Sequence, residues 1–189
     1  MTTAVATTTA AISGKTTMAE LEATIPGARR ALFSRYHIGG CSSCGFQPEE
    51  TLAEVCARNE NVPVDEVVAH LEASHENDLK MQIEPADLKT ALEGDSPPKL
   101  IDLRTREEFD AVRIGGAEMF SEDLQQSAFG TWPKDTAIVL YDHKGPRALD
   151  AAAYFTGHGF ESVKALAGGI DRYSAEVDAS LPRYQVEFG

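Results

Sequence analysis

Cysteine and basic side chains are both scarce in this chain. Three cysteines in 189 residues cannot build a disulfide framework, and two of them form Cys41-Ser-Ser-Cys44. That usage fits a reducing, cytoplasmic setting. Lys and Arg number 17 against 30 Asp and Glu, a formal net charge of −13. Such a surface repels phosphate backbones and anionic lipid, so neither nucleic acid nor a membrane is an expected partner. No apolar run approaches the roughly 18–20 residues of a membrane-spanning helix. The opening MTTAVATTTAAISGK lacks an early basic region and a continuous apolar stretch. Residues 1–15 therefore read as a disordered tail and not as a secretory leader.

At 42% hydrophobic, the chain can bury a core of one domain plus a smaller one. Residues 16–78 carry helical patterns. Thr17 is a candidate N-cap. Pro26 to Tyr36 predicts a helix with Ala28, Leu32 and Phe33 on one face, ended by Gly39-Gly40. Pro48 to Arg58 predicts a third helix that turns Cys56 inward. Pro63 to His75 predicts a fourth, with Val64, Val67, Val68 and Leu71 as its apolar stripe. From Met81 the rhythm changes to short strands alternating with helices. Strands are expected at 82–83, 99–103, 118–119, 138–141 and 162–165. Helices are expected at 85–92, 106–112, 121–126, 147–158 and 169–174. This alternation predicts a parallel α/β sheet.

The stretch Ala137–Ala148, AIVLYDHKGPRA, carries the strongest chemical signal. An apolar strand ends in a polar loop, and Pro146 suits the first turn of the helix that follows. A strand, a tight loop and a helix N-terminus together make an anion cradle. His143, Lys144, Gly145 and Arg147 would line it. Its first position is Asp142, a carboxylate that can bind, block or orient but cannot carry a sulfane sulfur. In parallel sheets ligands sit at the carboxyl ends of the strands, where this loop falls.

Three blocks in order, LIDLRTREEFDAVRIGGA, the Asp142 loop and ALAGGIDRYSAEVDASLPRY, resemble a single rhodanese domain over residues 80–186. Asp102, Arg104, Glu108 and Phe109 match its first block. Gly145 and Arg147 match its loop, and Gly168 and Gly169 its last block. The ending VDASLPRY resembles modules fused to sulfur-carrier-activating enzymes. The resemblance implies a parallel sheet of about five strands flanked by helices. Asp142 stands where the family places its catalytic cysteine, so the persulfide-forming thiol is missing. Arg113 replaces a histidine, Gly115 a proline and Tyr173 a tryptophan, while Pro146 removes one backbone donor from the loop. Two readings of Asp142 remain. In one the carboxylate mimics a bound anion and locks the loop, or polarises a ligand. In the other, activity was lost and the fold was kept as a binding module, the reading that sequence alone favours. Asp102 and Arg104 are expected to pair or cap at the sheet edge, and a catalytic His143–Asp142 dyad is disfavoured.

The segment YHIGGCSSCGF (Tyr36–Phe46) is the second chemical feature. Two cysteines so spaced can form a disulfide or share a metal. Residues 20–75 resemble small helical CxxC domains linked to hybrid-cluster proteins and, more distantly, the N-terminal domain of iron-centre repair proteins. That resemblance implies thiol redox or iron–sulfur chemistry. Three alternatives stand: Cys41 and Cys44 as a redox or sulfur-carrying pair, as part of a zinc or iron–sulfur centre with Cys56, His70 or His75, or as inert thiols. Function then divides between a regulatory module for an unknown protein partner or small sulfur-containing anion, a sulfurtransferase using Cys41 or Cys44, and a metal protein.

Overall fold

The computed structural model describes residues 12–39 and 45–184. The chain divides into two compact units, Met1–Asn77 and Asp78–Gly189.

The first unit is helical: α1 (Met18–Thr24), α2 (Ala28–Tyr36), α3 (Leu52–Arg58) and α4 (Val64–Lys80), the last crossing into the second unit. Two of these helices start the same way. Thr17 accepts from Glu20 N–H while the Glu20 carboxylate accepts from Thr17 N–H, and Thr51 and Glu54 do likewise. These reciprocal caps satisfy end amides that the helices cannot pair internally. Thr17 and Thr51 also face each other in an antiparallel bridge. The segments Thr17-Met-Ala-Glu20 and Thr51-Leu-Ala-Glu54 are therefore a structural pair. The third helix begins at Leu52 and not at Pro48, because Thr51 takes the cap. Met18, Leu21, Leu32, Leu52, Val55, Cys56, Val67 and Leu71 form the core. Phe33, expected on the inner face of α2, is 48% exposed. The end of α2 also differs from expectation: His37 itself adopts the left-handed cap conformation at φ 56°, ahead of the glycines.

The second unit alternates β1 (Gln82–Ile83), α5 (Pro85–Leu92), β2 (Lys99–Asp102), α6 (Arg106–Ala111), β3 (Glu118–Met119), α7 (Glu122–Thr131), β4 (Ile138–Tyr141), α8 (Pro146–Gly157), β5 (Val163–Leu166) and α9 (Gly169–Glu176). The strands form one five-stranded sheet in the order β1-β5-β4-β2-β3, every pair parallel. Alternation along β4 sends Ile138 and Leu140 to one face, with Leu149, Ala152 and Phe155 of α8. Val139 and Tyr141 go to the other, with Leu88 of α5 and Ile170 and Tyr173 of α9. Both faces are thus covered, which is why this strand is apolar throughout. Helix α7 runs further than its predicted end at Gln126, stopping only where Trp132-Pro133 leaves the helical path. Among the described residues, no helix is long and apolar enough to cross a membrane.

Candidate functional site: a loop that binds its own carboxylate

Strand β4 delivers Asp142 to the carboxyl end of the sheet, and α8 begins at Pro146 after Gly145, whose φ of 109° needs a glycine. Asp142 is 5% exposed. Its Oδ1 accepts a short hydrogen bond from Gly145 N–H, and its Oδ2 accepts from Arg147 N–H at 3.0 Å. The anion that the loop amides hold is thus the loop's own side chain. Burial pushes the Asp142 carboxyl above the usual range. The Gly145 and Arg147 amides and the Arg147 charge oppose that shift without cancelling it.

The loop rests directly on the start of α9. Ile170 N–H donates to Asp142 O at 3.0 Å, and Asp171 N–H donates to His143 O at 3.1 Å. A Cβ on Gly169 would lie 2.5 Å from the His143 carbonyl carbon and oxygen. Only glycine permits that approach at 169, while Gly168 is required by its own left-handed φ of 73°.

Lys144 and Arg147 are exposed, and Arg147 reaches Asp142 through its main-chain N–H. His143 makes no hydrogen bond to Asp142. Its two ring nitrogens are buried without a partner among the described residues, and its ring lies 4.6 Å from that of Tyr184 at 49°. A proton-transfer dyad therefore has no geometric basis here, since both Asp142 oxygens face amides. A groove of about 660 Å³ lined by Arg106, Phe109, Met119, Phe120 and Leu124 does not include the loop.

Beside the loop lies a buried polar network. Arg104 Nη2 pairs with Asp102 Oδ2 at 2.6 Å, with side chains 1% and 0% exposed. Arg104 Nη2 also donates to Val112 O at 2.6 Å, and Nη1 to Tyr184 Oη at 2.7 Å. Tyr184 Oη donates to Glu108 Oε1 at 2.7 Å. Burial opposes the Arg104 charge, but its bonds to Asp102 and Tyr184 outweigh that and push its pKa up. Burial and the Glu108 bond push the Tyr184 hydroxyl up to about 12. The sequence pattern places this pair or cap at a sheet edge. It instead closes the carboxyl end of β2, an interior strand between β4 and β3. Tyr184 was not among the expected site residues. Its signal was the proline-led aromatic of the LPRY ending. Arg113 stacks over Phe109 at 4.9 Å, and Tyr173 is buried in the core, so both substitutions are absorbed by local packing.

Cys41 and Cys44 lie outside the described residues. Cys56 is 1% exposed, and burial pushes its thiol up. His70 Nε2 donates to Ala31 O at 3.0 Å, while His75 Nδ1 is buried and unpartnered among the described residues. Among those residues, no three His, Cys, Asp or Glu side chains are placed to hold a metal ion. Cys56, His70 and His75 therefore do not form a centre by themselves.

The second unit is thus an α/β domain with a backbone anion cradle at the carboxyl end of a parallel sheet. The rhodanese-like domain family matches residues 84–176, and this segment is a rhodanese-like domain. The chain is 35% identical over 94 residues to rhodanese-like/PpiC domain-containing protein 12, chloroplastic, of Arabidopsis thaliana, covering 46% of this chain and 30% of that protein. It is 32% identical over 104 residues to the probable adenylyltransferase/sulfurtransferase MoeZ of Mycobacterium tuberculosis, covering 54% of this chain and 26% of that protein. The chain thus spans under a third of the length of either relative. The rhodanese-like domain of an Anabaena protein, solved by solution NMR, is 25% identical and covers 58% of this chain and 89% of its own, with a TM-score of 0.46.

Proposed function

We propose that the protein is a binding or regulatory module of sulfur metabolism. Its rhodanese-like domain does not itself turn over sulfane sulfur, and it is coupled to an N-terminal helical CxxC domain that handles thiol redox state in the cytoplasm. The single observation that carries this is the carboxylate of Asp142 accepting from Gly145 and Arg147. The loop amides that would stabilise a reacting sulfur anion are already committed. A carboxylate there has no sulfur to give. The name of the Mycobacterium tuberculosis relative, a sulfurtransferase, supports a sulfur role for this chain. The proposed organisation is a CxxC domain over 16–78 and a rhodanese-like domain over 80–186; the tail read over 1–15 does not extend to Ile12, which packs in the helical core, or to Gly14, whose carbonyl accepts from Ala53 N–H.

Thiosulfate:cyanide sulfurtransferase assays test this reading. The native chain with Cys41, Cys44 and Cys56 all changed to Ser is expected to show no turnover, and Asp142→Cys in that background is expected to gain it. Turnover by the cysteine-free chain with Asp142 intact would overturn the reading. Mass spectrometry of the native chain after thiosulfate treatment decides the role of the CxxC pair. A sulfur adduct on Cys41 or Cys44 would make the protein a sulfurtransferase whose thiol comes from the first unit.

A further inference from the structure

The negative charge at the loop has a defined reach. It lies on the δ atoms of residue 142, where Oδ1 meets Gly145 N–H and Oδ2 meets Arg147 N–H. A cysteine thiolate at the same position would carry its charge on the γ atom, one bond closer to the main chain. A cysteine persulfide would carry it on the outer sulfur, at the δ position. The start of the loop that carries these amides is fixed against α9. The carbonyls of Asp142 and His143 are pinned by Ile170 N–H and Asp171 N–H, and the Gly169 backbone lies against them.

The charge count points the same way. Lys144 and Arg147 flank the loop, and Asp171 on the neighbouring helix is paired with Arg183 at 2.8 Å. The Gly145 and Arg147 amides and the Arg147 charge favour a negative charge at the δ position, against the cost of burying it. We infer that Asp142 is a built-in replica of a sulfur-loaded side chain, so the loop is held permanently in its loaded state. The inference rests on the function proposed above and concerns the regulation of that same loop.

The test uses the full chain with Cys41, Cys44 and Cys56 changed to Ser, so only position 142 can react. In the Asp142→Cys variant the thiolate attacks the sulfane sulfur of thiosulfate. The S–S bond of thiosulfate breaks, a new S–S bond forms at the variant side chain, and sulfite leaves with the electron pair, so no outside oxidant is required. Mass spectrometry confirms the added sulfur. The backbone amide resonances of Gly145 and Arg147 are then compared by NMR. They are expected to fall together in the Asp142 chain and the loaded variant, and apart from both in the unloaded variant. Resonances of the Asp142 chain that match the unloaded variant, or neither form, would overturn the inference while leaving the proposed function standing. Asp142→Asn keeps the δ length without the charge and serves where the cysteine variant does not fold. It is expected to move both amides upfield, and unchanged positions would also overturn the inference. Cysteine-independent turnover, by contrast, strikes the proposed function itself.

Discussion

The main-chain N–H of Arg147 donates to the Oδ2 atom of Asp142 across 3.0 Å. The residue that would deepen the cradle's positive potential thus contributes its amide to a carboxylate of the same loop. The helix N-terminus of α8 has its anion within the chain.

Because the loop lies on Gly169, that position tolerates no side chain. Gly169→Ala places a methyl 2.5 Å from the His143 carbonyl and keeps φ at 60°. The left-handed backbone alone costs about 1–3 kcal/mol, and displacing His143 adds to it. Urea unfolding should show a loss at least that large, together with shifted Gly145 and Arg147 amides. A variant as stable as the native chain would show that the loop does not rest on α9.

The Asp102–Arg104 pair is fully interior, so removing one partner strands the other. Arg104→Ala should lower stability by about 3–5 kcal/mol, because the Asp102 charge stays buried. Tyr184→Phe should cost about 1–3 kcal/mol, since the Arg104 and Glu108 groups it joins lose one partner. Denaturant unfolding of both variants checks this. A loss below about 1 kcal/mol for Arg104→Ala would mean that water reaches the pair.

The raised Asp142 carboxyl gives a definite pH dependence. The folded chain holds this proton more tightly than the unfolded chain, so ionisation works against folding. Its stabilising contribution is complete below the ordinary carboxylate range. It is lost as pH rises from the unfolded value through the raised folded value, and is flat above. The stability of the native chain relative to Asp142→Asn should therefore fall with pH across that window. A difference that grows with pH would show the amides outweighing burial.

Much of this was legible in the chain. The two-residue strands Gln82–Ile83 and Glu118–Met119 were readable because the α/β rhythm around them leaves few places for a strand. The Thr17 cap was clear, but Pro48 drew the start of the third helix away from the Thr51–Glu54 cap that sets it. Ends were less clear, because His37 takes a left-handed cap that glycine usually fills, and Phe33 points outward on a helix with weak apolar periodicity. Asp142 was visible as a substitution, but its hydrogen-bond partners depend on loop geometry. Tyr184 was hidden by distance: it bonds Arg104 and Glu108 from 80 and 76 residues away, beyond any local pattern.

Cys56 should behave as an inert core residue. At 1% exposure with its thiol pushed up by burial, it offers little thiolate to a reagent. With Cys41 and Cys44 changed to Ser, an aromatic disulfide reagent should label the native chain only as fast as the unit opens, and the denatured chain at once. Rapid labelling under native conditions would place Cys56 at an accessible surface.

Whether Asp142 fills its own cradle is tested most directly by titrating thiosulfate into the native chain and into Asp142→Ala, following the Gly145 and Arg147 amides by NMR. The native resonances should stay fixed while those of the alanine variant shift and saturate. Saturable shifts at both amides of the native chain would show a cradle open to outside anions, and would contradict the account.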